Sequence, residues 1–294
     1  MKIKGETIIT RSILVAGFSS IAFILLIFAF LVKEGTPALA EVPLGKLFSS
    51  RWYPIEKYFG ILPLIGGSLL VTFFSILIAL PFGVGTAIYI AEIAPQGIKQ
   101  VLKPVIEILA GIPSVVLGFI GILVLAPFLR KFLNLPTGLT AFTGSLLLAL
   151  ISIPTIVSIA EDALYAVPQS YREGAIALGA SQWETIWGVV LPAARSGVLT
   201  AVMLGIGRSL GETMAVMMVT GNAPVLPTKL MSFFLPIRTM TATIASEMGE
   251  VASGSTHYHV LFFIGIILFI LSLVINVTAS WVSFRKKGRE QLVS

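Results

Sequence analysis

Two residues carry the chemistry of this chain. Arg208 and Glu212 are an oppositely charged pair inside an apolar run, with the arginine four residues before the glutamate. The run starts near Ala194, so Arg208 lies about 20 Å into it at the helical rise, close to the middle of a bilayer if the run crosses one. Charge at that depth costs from about 2.5 to more than 10 kcal/mol unless it faces protein or water, so such residues mark pathways by default. A guanidinium presents a planar fork of donors that fits an oxyanion. A carboxylate beside it neutralises the site when the anion is absent and weakens binding enough to permit release. The plainer reading is an i,i+4 ion pair that only neutralises itself, although the order arginine-then-glutamate is the weaker arrangement on a helix.

The surroundings of the pair are a membrane protein's. The chain has 294 residues, 56% hydrophobic and 12% charged, with a mean hydropathy of +0.98. That composition describes a polytopic membrane protein. There is no cysteine, which excludes disulfides and thiolate metal sites. The net charge of +6 does not point to nucleic acid, because the basic residues sit in short connections and at the ends. No P-loop, H-E-x-x-H or G-x-S-x-G occurs, so neither ATP binding by the P-loop motif nor hydrolase chemistry is expected of this chain. No metal or cofactor is called for. His257 and His259 are two apart and do not share a helix face, so they read as interfacial residues rather than ligands.

Hydropathy predicts six spans in an all-α chain. Ser12 to Val32 is 21 uncharged residues. Pro37 to Ala40 ends like a cleavage site, but this apolar run is longer than the roughly 7–15 residues of a signal segment, so it is expected to remain as a span. A polar loop continues to Gly60. Ile61 to Ala91 carries no charge for 31 residues and must tilt or break, with Gly66, Gly67, Pro81, Gly83 and Gly85 as the places to break. Further spans are expected at Pro104–Leu129, Thr137–Ala160 with a kink at Pro154, Ala194 to about Gly221, and His257–Phe284. A partly buried helix is expected within Arg238 to Val251. The division is then a first helix and loop over 1–60, a core of membrane spans over 61–284 and a basic tail over 285–294. Small residues Gly197, Ala201 and Gly205, and the G-x-x-x-G of Gly207 and Gly211, let neighbours approach the fifth span.

With six spans the termini share a side. The two ends and the 92–103 and 161–195 connections hold 11 Lys and Arg, against 8 in the other loops, so both termini are expected in the cytoplasm. That side also receives Ser170 to Pro192, a polar, helix-forming stretch between apolar spans. Short-looped membrane proteins have no packing reason to build one there.

In that stretch Glu173, Ala175, Gly179, Leu191 and Pro192 stand at the spacing E-A-A, three residues, G, nine residues, I-x-L-P, with Gly174 for the first alanine and Val189 for the isoleucine. This resembles the coupling loop of ABC-importer permeases. Gly207 to Val216, reading GRSLGETMAV, resembles the G-R-A-L-G-E-T-M-A-V stretch of phosphate-specific ABC permeases, as do Gly111–Val116 and Thr241–Glu250. The ending is similar to the C-type subunit, and Ser209 replaces the usual alanine. The resemblance runs from about Gly66 to the end of the chain.

It implies the type I ABC importer permease fold in a prokaryotic inner membrane. It also implies a homologous second permease as heterodimer partner, a dimer of cytoplasmic ATP-binding subunits, and an extracytoplasmic phosphate-binding protein. Glu173, Gly174, Ala175, Gly179, Leu191 and Pro192 would contact the ATPase, and Arg208 and Glu212 would be required for transport. Two alternatives stay open: a permease for another oxyanion such as sulfate or molybdate, and, from another class, a membrane-embedded lipid enzyme, whose interfacial catalytic cluster the sequence lacks.

Overall fold

The computed structural model describes residues 2–290; side chains at 2–8, 230 and 279–290 lie outside that description. Of the expected basic tail at 285–294, only the backbone of residues 285–290 falls within it. The chain is mostly helical. Helix α1 (Lys2–Gly35) is succeeded by short α2 (Pro37–Glu41) and α3 (Leu44–Leu47), then by an antiparallel hairpin of β1 (Trp52–Tyr53) and β2 (Tyr58–Phe59). Next come α4 (Leu62–Ile88), α5 (Gln96–Gly111), α6 (Ser114–Ile120), α7 (Ala126–Phe132) and α8 (Ala141–Tyr165). The remainder is α9 (Gln169–Ala177), α10 (Gln182–Thr185), α11 (Leu191–Gly211), α12 (Met214–Val219), α13 (Met240–Glu247) and α14 (Thr256–Glu290). Among the described residues six helical segments are long and apolar enough to cross a membrane: Ile9–Glu41, Leu62–Ile93, Ser114–Phe132, Ala141–Tyr165, Gln182–Gly211 and Thr256–Thr278.

The centre of the bundle is α4, α8 and α11. Ile156 of α8 is fully buried and sits between a glycine on each neighbour. A Cβ on Gly83 of α4 or on Gly205 of α11 would lie 2.7 Å from Ile156 side-chain carbons. Ala163 of α8 packs in the same way onto Gly197 of α11. Without a hydrophobic driving force between helices in lipid, such close backbone approach supplies the packing energy. Gly197, Ala201 and Gly205 thus form the face of α11 that meets α8.

One expectation is resolved and two change. First, α4 does not break at its glycines or at Pro81. It runs for 27 residues and ends in a π-helical turn at Tyr89–Ile93. Its length of about 40 Å exceeds the hydrocarbon thickness of about 30 Å, so it must tilt. Second, the third span begins at Ser114, not Pro104. Pro113 has no N–H to donate and pushes Ile112 into an extended conformation (φ −67°, ψ 127°), which ends α5. α5 is a separate helix with no buried residue; its Lys103 reaches Glu161 and Asp162 of α8 at 3.5 and 3.8 Å. Third, the fifth span stops at Gly211, and residues 214–219 form the separate α12.

The loop after α1 is also more ordered than its polarity suggests. Ala38, Val42, Leu47, Trp52 and Phe59 are buried against Val260, Leu261 and Ile264 of α14 and Met240 of α13. Glu247 ties this end together. It accepts from Trp52 Nε1 at 3.2 Å, and its two oxygens lie 2.6 Å from Arg238 and 2.8 Å from His257 Nε2. Burial opposes ionisation of Glu247, but the hydrogen bond from His257 and the charge of Arg238 outweigh it and hold the carboxyl below the usual carboxylate range. His257 and His259 are therefore internal partners, the latter bonded to the Glu34 carbonyl at 2.8 Å. Among the described residues no acidic or histidine group is arranged to hold a metal.

Gly67 of α4 offers a test of this packing. A methyl there would run into the Arg238 carbonyl, whereas one on Gly85 meets nothing within 4 Å. Gly67→Ala should destabilise the protein by about 1–3 kcal/mol, as overpacking does. Gly85→Ala should not destabilise it. Thermal unfolding in detergent measures both.

Candidate functional site

Arg208 sits at mid-bundle. Its Nη1 donates to Thr155 Oγ1 at 3.3 Å. Thr155 lies about 21 Å along α8 from Ala141 and about 15 Å from Tyr165 at the helical rise. One residue on, the Ser209 hydroxyl meets Ser75 of α4 at 3.1 Å and Ser152 of α8 at 2.9 Å. Ser75 is the midpoint of α4. The three buried hydroxyls join the three central helices beside the guanidinium. In sequence Ser209 reads as a neutral exchange for alanine; in the fold it is the hub of that cluster. Lone serines in apolar runs are the available signal, but spacing along one helix does not reveal partners on two others.

The charged pair is not an ion pair on one helix face. α11 ends at Gly211, and Glu212 is extended (φ −67°, ψ 129°). Its Oε1 accepts from the N–H groups of Thr213 and Ala215 at 3.2 and 3.3 Å, so the carboxylate caps the start of α12. The Glu212 carbonyl accepts from the Thr241 hydroxyl at 3.0 Å. A helix start leaves N–H groups without intrahelical partners, and a carboxylate satisfies them and suits the positive end of the helix. Among the described residues no ion pair joins Arg208 to Glu212. The Nε of Arg208 is buried without a hydrogen-bond partner. That Nε is closed to a ligand, but a guanidinium with no carboxylate against it is suited to receive an anion through its terminal N–H groups.

Beside Arg208 the outer face of α11 is open. Thr200, Leu204, Gly207 and Gly211 are exposed at helical spacing. A Cβ on Gly207 or Gly211 would meet nothing within 4 Å. The G-x-x-x-G therefore faces away from the chain's own bundle.

The second candidate region is the Ser170–Pro192 stretch. α9 carries Glu173 and Gly174 on its exposed side, and Ala175 packs inward. The helix stops at Gly179, whose φ of +89° is a left-handed value that glycine adopts without strain. Its neighbour Ala180 donates back to the Ala175 carbonyl at 3.1 Å. Ser181 and Glu184 form a capping box that starts α10. A π turn at Ile186–Val190 carries the helix without interruption into Leu191 and Pro192 of α11. Leu178 is 91% exposed, and Tyr171, Ile176, Trp183 and Trp187 are exposed with it.

A residue outside the motif anchors this region. Arg172 Nη2 and Nε donate to the two Glu92 oxygens at 2.6 and 3.1 Å. Its Nη1 and Nη2 also donate to the carbonyls of Val167 and Leu164 at 2.7 and 2.9 Å. The hydrogen bond with Glu92 holds the guanidinium above its usual range. The sequence signal is an isolated glutamate one residue after a 31-residue apolar run, which is visible but does not name its partner.

The sequence profile of the family described as "Binding-protein-dependent transport system inner membrane component" matches residues 79–288, and the chain belongs to that family. It is the non-catalytic, multi-pass membrane component of an ABC importer. It is 40% identical over 291 residues to the probable ABC transporter permease protein YqgH of Bacillus subtilis, covering 97% of this chain and 92% of that one. It is 36% identical over 271 residues to the phosphate transport system permease protein PstC of Mesorhizobium japonicum, covering 86% and 82%. Its fold matches a bacterial ABC transporter involved in the import of the acidic polysaccharide alginate with a TM-score of 0.57, at 16% identity over 91% of this chain and 98% of that one.

The two roles open to Glu212 separate by substitution. Gln keeps the carbonyl oxygen that caps α12 and removes only the charge. Glu212→Gln should unfold within about 0.5 kcal/mol of the parent, while Glu212→Ala should lose about 1 kcal/mol or more, as lost caps do. Chemical denaturation in detergent checks the difference.

Proposed function

We propose that this chain is the permease subunit that forms, with a homologous second permease, the transmembrane path of an ATP-driven importer of inorganic phosphate. The observation that carries the reading is the Arg208 guanidinium at mid-bundle, bonded to the Thr155 hydroxyl and, among the described residues, with no carboxylate paired to it. The name of the Mesorhizobium japonicum relative supplies the substrate. Glu212 contributes a nearby negative charge that keeps the anion from binding too tightly. An extracytoplasmic phosphate-binding protein delivers the anion. A dimer of cytoplasmic ATP-binding subunits docks on α9 through Glu173, Gly174 and the Ala175–Gly179 turn, with Leu191 and Pro192 carrying the movement into α11. Both termini and α9 lie in the cytoplasm, in agreement with the excess of basic residues on that side.

Uptake of labelled phosphate into cells, at matched membrane abundance, tests the path. Hydrogen bonds to charged groups contribute about 1.5–3 kcal/mol, so Arg208→Gln should lower uptake on the order of 10- to 100-fold. Arg208→Lys, which keeps charge without the fork, should fall between. Wild-type uptake by Arg208→Gln would refute the role, and preferential uptake of sulfate or molybdate by the parent would replace phosphate with that oxyanion. For the docking surface, Gly179→Asp should insert normally yet abolish uptake and ATPase stimulation, because aspartate is strained at positive φ and adds charge to the exposed turn. Normal uptake by that variant would remove α9 from the coupling role.

A further inference from the structure

A movement imposed on α9 reaches α8 and α11 through the chain itself, because α9 lies between them. It does not reach α4 that way, since α4 ends far earlier in the sequence. Among the described residues, the hydrogen bonds from the α9–α10 segment to the end of α4 converge on Glu92. Its carboxylate takes two bonds from Arg172 at 2.6 and 3.1 Å, and its carbonyl takes one from Gln182 Nε2 at 2.9 Å. Arg172 is also fixed to α8 through the Leu164 and Val167 carbonyls. Both members of the pair are largely buried, with side-chain exposures of 14% and 9%. Glu92 belongs to the π turn that ends α4. Such turns recur at functional positions. From Glu92, α4 runs back about 25 Å to Ser75, whose hydroxyl touches Ser209 next to Arg208.

We infer that the Arg172–Glu92 pair is the joint through which displacement of α9 is passed to α4, and so to the α4 side of the Arg208 site. The inference rests on the reading that α9 docks the ATPase. A bidentate arginine–carboxylate contact fixes orientation as well as distance, so α4 must move with α9 when α9 turns or shifts. Arg172 and Glu92 are positioning residues. Neither touches the anion. Glu92→Gln is nearly isosteric and leaves Arg172 its two carbonyl bonds, so it loosens the link to α4 while α9 stays on α8.

The test uses the assembled complex in lipid nanodiscs for exchange and in proteoliposomes for transport. Amide hydrogen exchange is measured with and without a non-hydrolysable ATP analogue, and phosphate transported per ATP hydrolysed is measured in parallel. In the parent, nucleotide should change exchange in both 169–178 and 86–96. In Glu92→Gln the change at 169–178 should persist, the change at 86–96 should shrink at least fivefold, and transport per ATP should fall about tenfold. Arg172→Lys, with charge but no fork, should recover part of that ratio, and it serves as the readout if Glu92→Gln fails to assemble. A full change at 86–96 in both variants, or an unaltered ratio per assembled complex, would overturn the joint and leave the pair a structural clamp. A parent that moves 86–96 with nucleotide yet carries no phosphate would refute the substrate and support the joint. A parent with no nucleotide response at 169–178 would refute the docking surface and the joint together.

Discussion

A guanidinium held half-way across an apolar bundle without a carboxylate against it is the constraint that organises this protein. In lipid the cost of that charge is met by water, by protein dipoles or by a bound anion. Within this chain Arg208 has one hydroxyl, that of Thr155, and keeps a buried Nε unmatched. The structure around it holds the charge in place rather than neutralising it. The Ser75–Ser209–Ser152 hydroxyls join three helices at the same depth. Ile156 seats α8 between Gly83 and Gly205, so the helix that carries Arg208 and the helix that carries Thr155 approach closely. α11 ends at Gly211, and Glu212 caps α12. The carboxylate that the linear spacing pairs with Arg208 is occupied with backbone.

Much of the fold is legible in the sequence because membrane helices declare themselves by length and hydropathy. The six spans, the partly buried helix after Arg238 and the helix-forming Ser170–Pro192 stretch all come from composition and turn chemistry. The errors have a common source. The pattern along the chain does not say when a helix stops inside an apolar run. Residues 104–129 read as one span, yet Pro113 forces Ile112 extended. Residues 194–221 read as another, yet the chain breaks at Glu212. In the first case a proline gives notice. In the second only weak helix formers do, and Gly207 and Gly211 look alike in sequence although the helix passes through one and ends at the other.

The candidate site is half legible for a related reason. Residue types and depth pick out Arg208 and Glu212, but their relation depends on that break. The Ser170–Pro192 motif is readable by spacing, and the structure gives its members separate tasks: Gly179 takes a positive φ, Ala175 packs inward and Pro192 follows the π turn into α11. Arg172 lies one residue before the motif and escapes notice, since its partner Glu92 is remote in sequence. Long-range pairs such as this one, and the Trp52–Glu247–His257 cluster at the other end, are written in tertiary structure alone.

The central claim is that the open face of α11 beside Arg208 lines the anion path. The chain has no cysteine, so single cysteines report cleanly. The direct measurement is the rate at which a membrane-impermeant thiol reagent modifies Leu204→Cys in the assembled transporter, with Val277→Cys on the exposed face of α14 as reference. A path along α11 predicts that Leu204→Cys reacts at least tenfold faster than Val277→Cys in one nucleotide state, and that phosphate slows the reaction. Equal, slow modification at both positions in every nucleotide state, unaffected by phosphate, would contradict the account.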